Sequence, residues 1–195
     1  MGSNDAPRVA RRVYICIIKQ PKKTKMKKIQ ALFIAALLVS GSAFAQERPI
    51  HEVYSMMVFN FTRYVQWPPE GAGSEFVIGV IGNNDMYNTL QTWYGGKPRG
   101  GQTFVVKKFS SASEVTDCQV LYIDKSKSNE FDIASTKLKG KSTLVITDKN
   151  GMGEKGSAIN FKTVENKLKF ELNQKAIEAS NLKVSGALSS MAILI

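Results

Sequence analysis

The chain has 195 residues, a length that suits one domain with extensions and is well above the size at which a hydrophobic core becomes hard to build. Nine of the 27 basic residues but one of the 16 acidic residues lie in residues 1–45, so the rest carries 18 basic and 15 acidic residues, a net charge of +3. This near balance argues against a nucleic-acid partner, which the formal charge of +11 for the whole chain would suggest.

Residues 26–45 have the three parts of a cleaved signal peptide. Lys27 and Lys28 give a positive start, residues 29–39 are apolar, and residues 42–45 end in an Ala-x-Ala pattern. The apolar run is shorter than the roughly 20 residues that a membrane-spanning helix needs. We therefore expect cleavage after Ala45, a periplasmic protein, and no membrane insertion of the mature chain.

These features divide the chain into three parts. Residues 1–25 precede a complete signal peptide, so we interpret them as an over-extended start without structure, with Met26 as the initiator. Residues 26–45 are the predicted signal peptide, and residues 46–195 the predicted single domain.

The predicted domain begins with an aromatic-rich helix pattern in residues 54–68. Apolar residues recur every three or four positions, which gives the helix a broad apolar face. Pro68 and Pro69 are predicted to end the helix and to make Trp67 its last residue. Either the whole face packs on a sheet, or its surplus forms a homodimer or partner interface with Phe59, Tyr64 and Trp67 as candidate interface residues.

Strand and helix patterns alternate through the rest of the chain, and together they predict a single α/β domain. We expect a mixed, mostly parallel sheet of about six strands, flanked by helices, with a C-terminal antiparallel hairpin. The predicted strands are residues 76–82, 103–109, 119–123 and 142–147, with the hairpin at 158–162 and 167–173. The predicted helices are residues 86–94, with N-cap residues at 83–85, and residues 129–138, 174–180 and 185–194.

Polar residues follow three of the predicted strands. Ligands of open α/β sheets bind beyond the carboxyl ends of the parallel strands, so these residues predict a crevice for a small polar ligand. As turn residues they would also be explained without any ligand. The candidate ligand-binding residues are Asn83, Asn84, Asp124, Lys125, Ser126 and Asp148.

Motifs for catalysis or metal binding are weak. His51 is the single histidine, so neither a histidine pair for a metal nor a Ser/His/Asp triad is indicated. Residues 151–156 match G-x-G-x-x-G by letter, but a strand pattern follows them, so we predict a loop. Cys118 is the single cysteine after residue 45 and is predicted to be a buried core thiol. We expect no enzyme activity, no cofactor and no metal.

Five segments, in their order and spacing, resemble the YfiR family of periplasmic regulators. They are FTRYVQWP at 61–68, FVIGVIG at 76–82, DCQVLYI at 117–123, TLVITD at 143–148 and LKFELN at 168–173. The resemblance implies an exported α/β regulator that holds an inner-membrane diguanylate cyclase inactive from the periplasmic side and lowers cyclic di-GMP. Better-known members of this family contain disulfide bonds, whereas Cys118 is the single cysteine of the predicted mature chain.

Two functions follow from these patterns. In the first, the protein binds the periplasmic part of an inner-membrane signalling protein, either a diguanylate cyclase or a sensor kinase. In the second, it is a periplasmic sensor module that binds a small molecule.

Overall fold

The structure is a computed structural model that describes residues 48–69 and 73–195. Arg48–Ile195 form one compact unit. The predicted signal peptide, its cleavage site and the over-extended start lie outside the described residues.

A mixed sheet of eight strands lies at the centre of this unit. Its strands, in chain order, are β2 (Glu75–Ile81), β3 (Pro98–Arg99), β4 (Gln102–Phe109), β5 (Val120–Ile123), β6 (Leu144–Thr147), β7 (Ile159–Val164), β8 (Lys167–Leu172) and β10 (Ile193–Leu194). Across the sheet the order is β10-β8-β7-β6-β5-β2-β4-β3. The five adjacent strands β4, β2, β5, β6 and β7 run parallel to one another. Strand β8 is antiparallel to β7, and β3 is antiparallel to β4. The predicted mixed, mostly parallel sheet is confirmed, and two short edge strands raise the number from about six to eight.

Six α-helices accompany the strands in the described part of the chain. They are α1 (Ile50–Tyr64), α2 (Asn84–Tyr94), α3 (Phe131–Lys137), α4 (Met152–Lys155), α5 (Gln174–Ala179) and α6 (Gly186–Met191). Short 3₁₀ helices cover Ala112–Glu114 and Lys125–Glu130, the second of which lengthens the start of the helix predicted at 129–138. None of the described helices has both the length and the apolar character needed to cross a membrane.

Helices cover both faces of the sheet. On one face, Val58 and Phe61 of α1 and Leu90 of α2 pack in a cluster with Ile78 and other buried strand residues. On the opposite face, α3 contributes a second cluster that packs on the alternate residues of the same strands. Because both faces are buried, the central strands are continuous apolar runs in the sequence.

The chain reverses direction across the sheet between β2 and β5. The connection from β2 runs through α2 to β4 on one side, while the connection from β5 runs through α3 to β6 on the other. The two connecting helices lie on opposite faces. The carboxyl ends of β2 and β5 therefore form the topological switch point, where ligands of open α/β sheets usually bind.

The first helix ends earlier than the proline pair predicted. It stops at Tyr64, and the next residues form β1 (Val65–Gln66), an antiparallel pair with β9 (Lys183–Val184). Trp67 therefore follows an extended segment, and the prediction that it is the last helical residue is wrong. Pairing with β9, a contact distant in sequence, overrides the local helix pattern.

The C-terminal region confirms one prediction and corrects two. β7 and β8 form the predicted antiparallel hairpin, and both turn residues, Glu165 and Asn166, have positive φ angles of 51° and 58°. The final predicted helix ends at Met191, because the next residues pair with β8 as β10. The loop predicted at 151–156 contains the short helix α4.

Candidate functional site

At the switch point, two of the predicted site residues bind each other, while the crevice itself stays a prediction. The Asn83 amide donates a hydrogen bond to Oδ2 of Asp124 over 2.9 Å. Each residue also caps a helix: Asn83 accepts from the backbone N–H of Met86, and Asp124 from that of Ser126, both at 2.9 Å. Much of their hydrogen-bonding capacity is therefore used within the fold.

The remaining predicted residues differ in position. Asn84 is exposed at the first position of α2, while Lys125 and Ser126 are exposed at the start of the 3₁₀ helix after β5. Asp148 follows β6 and is partly buried. Asn83, Asp124 and Asp148 thus follow three neighbouring strands at one edge of the sheet, and Asn84 is exposed next to them.

Two tyrosines that the sequence did not predict as site residues lie near Asp124 and Asp148. Tyr122 on β5 is 0% exposed, and the charges of Asp148 and Asp124 both act on its hydroxyl group. The Tyr54 ring on α1 stacks on Phe161 with a centroid separation of 4.2 Å. Both tyrosines lie in apolar segments, where the pattern predicts burial but cannot predict that a hydroxyl group will reach a polar crevice.

A hydrogen bond of poor geometry between the Tyr122 hydroxyl and the Asp148 carboxylate contributes to the pKa of both groups. Both atoms are buried, and neither has a partner of acceptable geometry among the described residues. The two groups are close enough for Asp148 to raise the pKa of Tyr122, although burial is the larger cause. Buried polar groups are normally well paired, so Tyr122 and Asp148 are the least well satisfied polar pair in the described core.

The pKa values of Asp124 and Asp148 are shifted in opposite directions. Burial, and then the negative charge of Asp124, raise the pKa of Asp148. Burial would also raise the pKa of Asp124, but hydrogen bonds from Ser126 and Asn83 outweigh it and leave that pKa below its usual range. Burial together with both carboxylates raises the pKa of Tyr54 to about 12. Within the described residues neither aspartate forms an ion pair.

A neighbouring buried network is satisfied internally. The carboxylate of Glu171 accepts from the Asn160 amide over 2.8 Å and pairs with the Lys162 ammonium over 2.6 Å. Thr147, just before Asp148, lies 2.8 Å from the Asn160 amide oxygen. Each of these polar side chains has a partner, so hydrogen bonds within the fold are enough to explain the network.

A second concave site lies at the opposite edge of the sheet, before the amino ends of β5 and β6, and the sequence did not predict it. Its volume is about 310 Å³, near the lower limit for small-molecule pockets. Trp67, Pro68 and Phe76 supply apolar walls, and an ion pair of 2.5 Å joins Lys141 to Asp117 at the rim. The other lining residues are Gln102, Cys118, Gln119, Ser142 and Thr143.

Trp67 is held in the wall of this cavity, and Arg99 packs on the wall residues Trp67 and Phe76. The Trp67 indole N–H donates to the carbonyl of Gln119 over 3.1 Å, and its ring meets Phe76 edge-on at 4.9 Å. The Arg99 guanidinium lies 4.0 Å from the Phe76 ring centre and donates to the carbonyl of Thr62 in the last turn of α1 over 2.8 Å. Burial lowers the pKa of Arg99. No local pattern marked Arg99, because its role depends on contacts distant in sequence.

The three candidate interface residues lie in different surroundings. Phe59 is partly buried and stacks on Tyr94 with a centroid separation of 4.1 Å. Trp67 is also partly buried, in the contacts given above. Tyr64 is 36% exposed. An interface role for these residues stays a prediction, and Tyr64 is the most accessible of the three.

Cys118 is a free, buried thiol in the wall of the second cavity. Burial, and then the charge of Asp117, raise its pKa to about 12. The thiol is therefore protonated at neutral pH and weakly nucleophilic. Within residues 48–69 and 73–195, no group of three or more His, Cys, Asp or Glu side chains could hold a metal ion.

The comparisons with known proteins identify the family. A family model described as YfiR/HmsC-like matches residues 51–193, from the first turn of α1 to the first residue of β10. No curated protein matches the chain. The matching family consists of periplasmic regulators that act through a partner protein of the inner membrane. The chain belongs to the YfiR/HmsC-like family.

Proposed function

We propose that this protein is a periplasmic regulator without enzyme activity that binds the periplasmic part of an inner-membrane diguanylate cyclase and holds the cyclase inactive. Cells that contain the protein would then have less cyclic di-GMP. The observation that carries the proposal is the family match, which spans residues 51–193 and so includes almost every described element. The alternative partner is an inner-membrane sensor kinase, which the protein would bind in the same way.

The outer side of α1 is the surface that we propose for this partner. Asn60, Arg63 and Tyr64 are exposed in its last turns, opposite the buried Val58, Phe61 and Thr62. A half-exposed tyrosine beside an arginine is typical of the residues that anchor protein interfaces. The same surface would serve a homodimer.

A genetic experiment tests the proposal. Deletion of the gene should raise cellular cyclic di-GMP, and expression of the full chain should restore the lower level. A chain without residues 26–45, which is expected to stay in the cytoplasm, should not restore it. An unchanged cyclic di-GMP level after deletion would contradict control of a cyclase, and restoration by the leaderless chain would contradict a periplasmic site of action.

A binding experiment identifies the partner and the surface. The purified protein should bind the isolated periplasmic part of the membrane partner, and Tyr64→Ala combined with Arg63→Ala should weaken binding without changing the melting temperature. Lys169→Ala, a change on the β7–β8 hairpin, is the matched control. Equal binding by the α1 double variant and the control would exclude α1 as the partner surface.

The cavity beside Trp67 supports the second candidate, a sensor of small molecules. It combines apolar walls with an ion pair at the rim, the usual mixture of a small-molecule pocket. In a Trp93→Phe variant, Trp67 is the single tryptophan and reports on the cavity directly. Compounds that bind there should change its fluorescence and raise the melting temperature, and Lys141→Ala should reduce both effects. A broad compound screen without any saturable change would argue against the sensor function.

A further inference from the structure

The cavity beside Trp67 offers a ligand more hydrogen-bond donors than acceptors. The side-chain oxygen of Gln119 already accepts from the backbone N–H of Val77 over 2.6 Å, which leaves the amide nitrogen of Gln119 as the group that can bind a ligand. Among the described residues, neither this nitrogen nor the Ser142 hydroxyl has a hydrogen-bond partner. The Lys141 ammonium at the rim has three N–H groups, and a single acceptor on Asp117 does not use them all.

Positive charges outnumber negative ones among the groups that act at this cavity. The Arg99 guanidinium lies 5.2 Å from the Trp67 ring centre and forms no ion pair within the described residues. Burial, and then Asp117, raise the pKa of the thiol in the cavity wall, while the charges of Lys141 and Lys107 oppose them. Three cations and one carboxylate are therefore placed to act on a ligand, which favours a negatively charged one.

The interior of the cavity suits an apolar group. The Trp67 indole N–H is taken by the Gln119 carbonyl over 3.1 Å, so the ring alone is left to contact a ligand. Pro68 and Phe76 extend this apolar wall. A volume of about 310 Å³ admits a molecule smaller than most drugs. The ligand that fits is small, apolar at one end and negatively charged at the other.

We propose that the cavity beside Trp67 binds a small monocarboxylate with an apolar body. Its body packs on Trp67, and its carboxylate accepts hydrogen bonds from Lys141, Gln119 and Ser142. Asp117 competes weakly for Lys141, because its side chain is 86% exposed and exposed ion pairs contribute little. The proposal rests on the sensor function given above as the second candidate, and it names the class of molecule that is sensed.

Three probes of nearly equal shape test the preference for a negative charge. They are phenylacetate, 2-phenylethanol and 2-phenylethylammonium. The full chain, exported and purified as the Trp93→Phe variant, reports binding through the fluorescence of Trp67. Phenylacetate should give a saturable change and bind at least about fivefold more tightly than either other probe, because it gains hydrogen bonds from a charged donor. Equal or tighter binding of the alcohol or the ammonium probe would overturn the proposed class of ligand.

Two variants test the groups that would hold the carboxylate. Lys141→Met keeps an apolar stem but loses the charge, so it should weaken phenylacetate binding about five- to tenfold. Lys169→Met makes the same change on a residue outside the cavity lining and is the matched control. Gln119→Glu keeps an oxygen for the Val77 N–H and puts a negative oxygen in place of the amide nitrogen. This variant should prefer 2-phenylethylammonium to phenylacetate.

Circular dichroism checks that each variant is folded before its binding is compared. Equal phenylacetate affinity in Lys141→Met and Lys169→Met would overturn the proposal, and so would an unchanged charge preference in folded Gln119→Glu. The lack of a saturable signal from all three probes would overturn it as well. The sensor function fails on a different result, a broad compound screen without any binding. Control of a cyclase fails on another, an unchanged cyclic di-GMP level after deletion.

Discussion

Replacing Trp67 by alanine tests whether this side chain holds the fold together or serves as an anchor for a partner. A fully buried aromatic costs about 3 to 5 kcal/mol when it is cut to alanine, and a partly buried ring costs about half of that. Loss of the hydrogen bond to Gln119 adds about 1 kcal/mol. That carbonyl still accepts from the backbone N–H of Leu144 at 2.9 Å, so it is not left unpaired. We expect Trp67→Ala to lower the free energy of unfolding by about 2 to 4 kcal/mol.

Urea denaturation followed by circular dichroism measures this value, and two variants calibrate it. Trp67→Phe keeps a ring against Phe76 but loses the indole N–H, so it should cost about 1 to 2 kcal/mol. Tyr64→Ala removes a more exposed aromatic from α1 and should cost less than about 1 kcal/mol. If Trp67→Ala unfolds at the same urea concentration as the unchanged protein and loses its partner, Trp67 is an interface anchor and the packing argument is refuted.

Three further outcomes are expected. Mass spectrometry of the exported protein should find Gln46 at its N-terminus, and an intact Met26 in the periplasm would contradict cleavage after Ala45. The Cys118 thiol, whose pKa burial raises to about 12, should react with a thiol reagent at pH 8 only in denaturant, and fast reaction of the native protein would contradict its burial. Burial raises the pKa of Asp148 in the fold, so its ionisation destabilises the protein at pH values above that folded pKa. Asp148→Asn should therefore stabilise the protein at pH 7, and this gain should vanish below the unfolded pKa of about 3.9; equal stability at pH 7 would contradict the shift.

The features that the sequence predicted well are those with strong local signals. β2, β5 and β6 are buried on both faces, so each is a run of apolar residues with few alternatives to a strand. Asn83 was recognised as a cap because its side chain contacts a backbone N–H three residues away. The meeting of Asn83 with Asp124 followed from topology, because parallel strands bring their carboxyl ends to one edge.

The features that the sequence did not predict depend on distant partners. Val65 continues a helix pattern but is extended because it pairs with Val184. Arg99 resembles an ordinary surface residue of a Gly-rich turn, yet its guanidinium reaches Thr62. Tyr122 on β5 pairs in register with Ile146 on β6, and Asp148 comes two residues after Ile146. The Tyr122 hydroxyl therefore lies near Asp148. A single sequence carries no local sign of any of these contacts.

The helix α1 links the two sites that the sheet separates. From Tyr54, near Asp124 and Asp148, to Tyr64 in its last turn, α1 rises roughly 15 Å, and Arg99 ties that last turn to the wall of the amino-end cavity. Val58 and Phe61 anchor the middle of the helix in the core, where close packing resists bending. A ligand at either end that shifts α1 therefore also shifts the exposed Arg63 and Tyr64. A ligand at one edge of the sheet changes partner binding only if it contacts the two positions of α1 differently. The helix α1 is the element that joins such a ligand to the exposed partner surface.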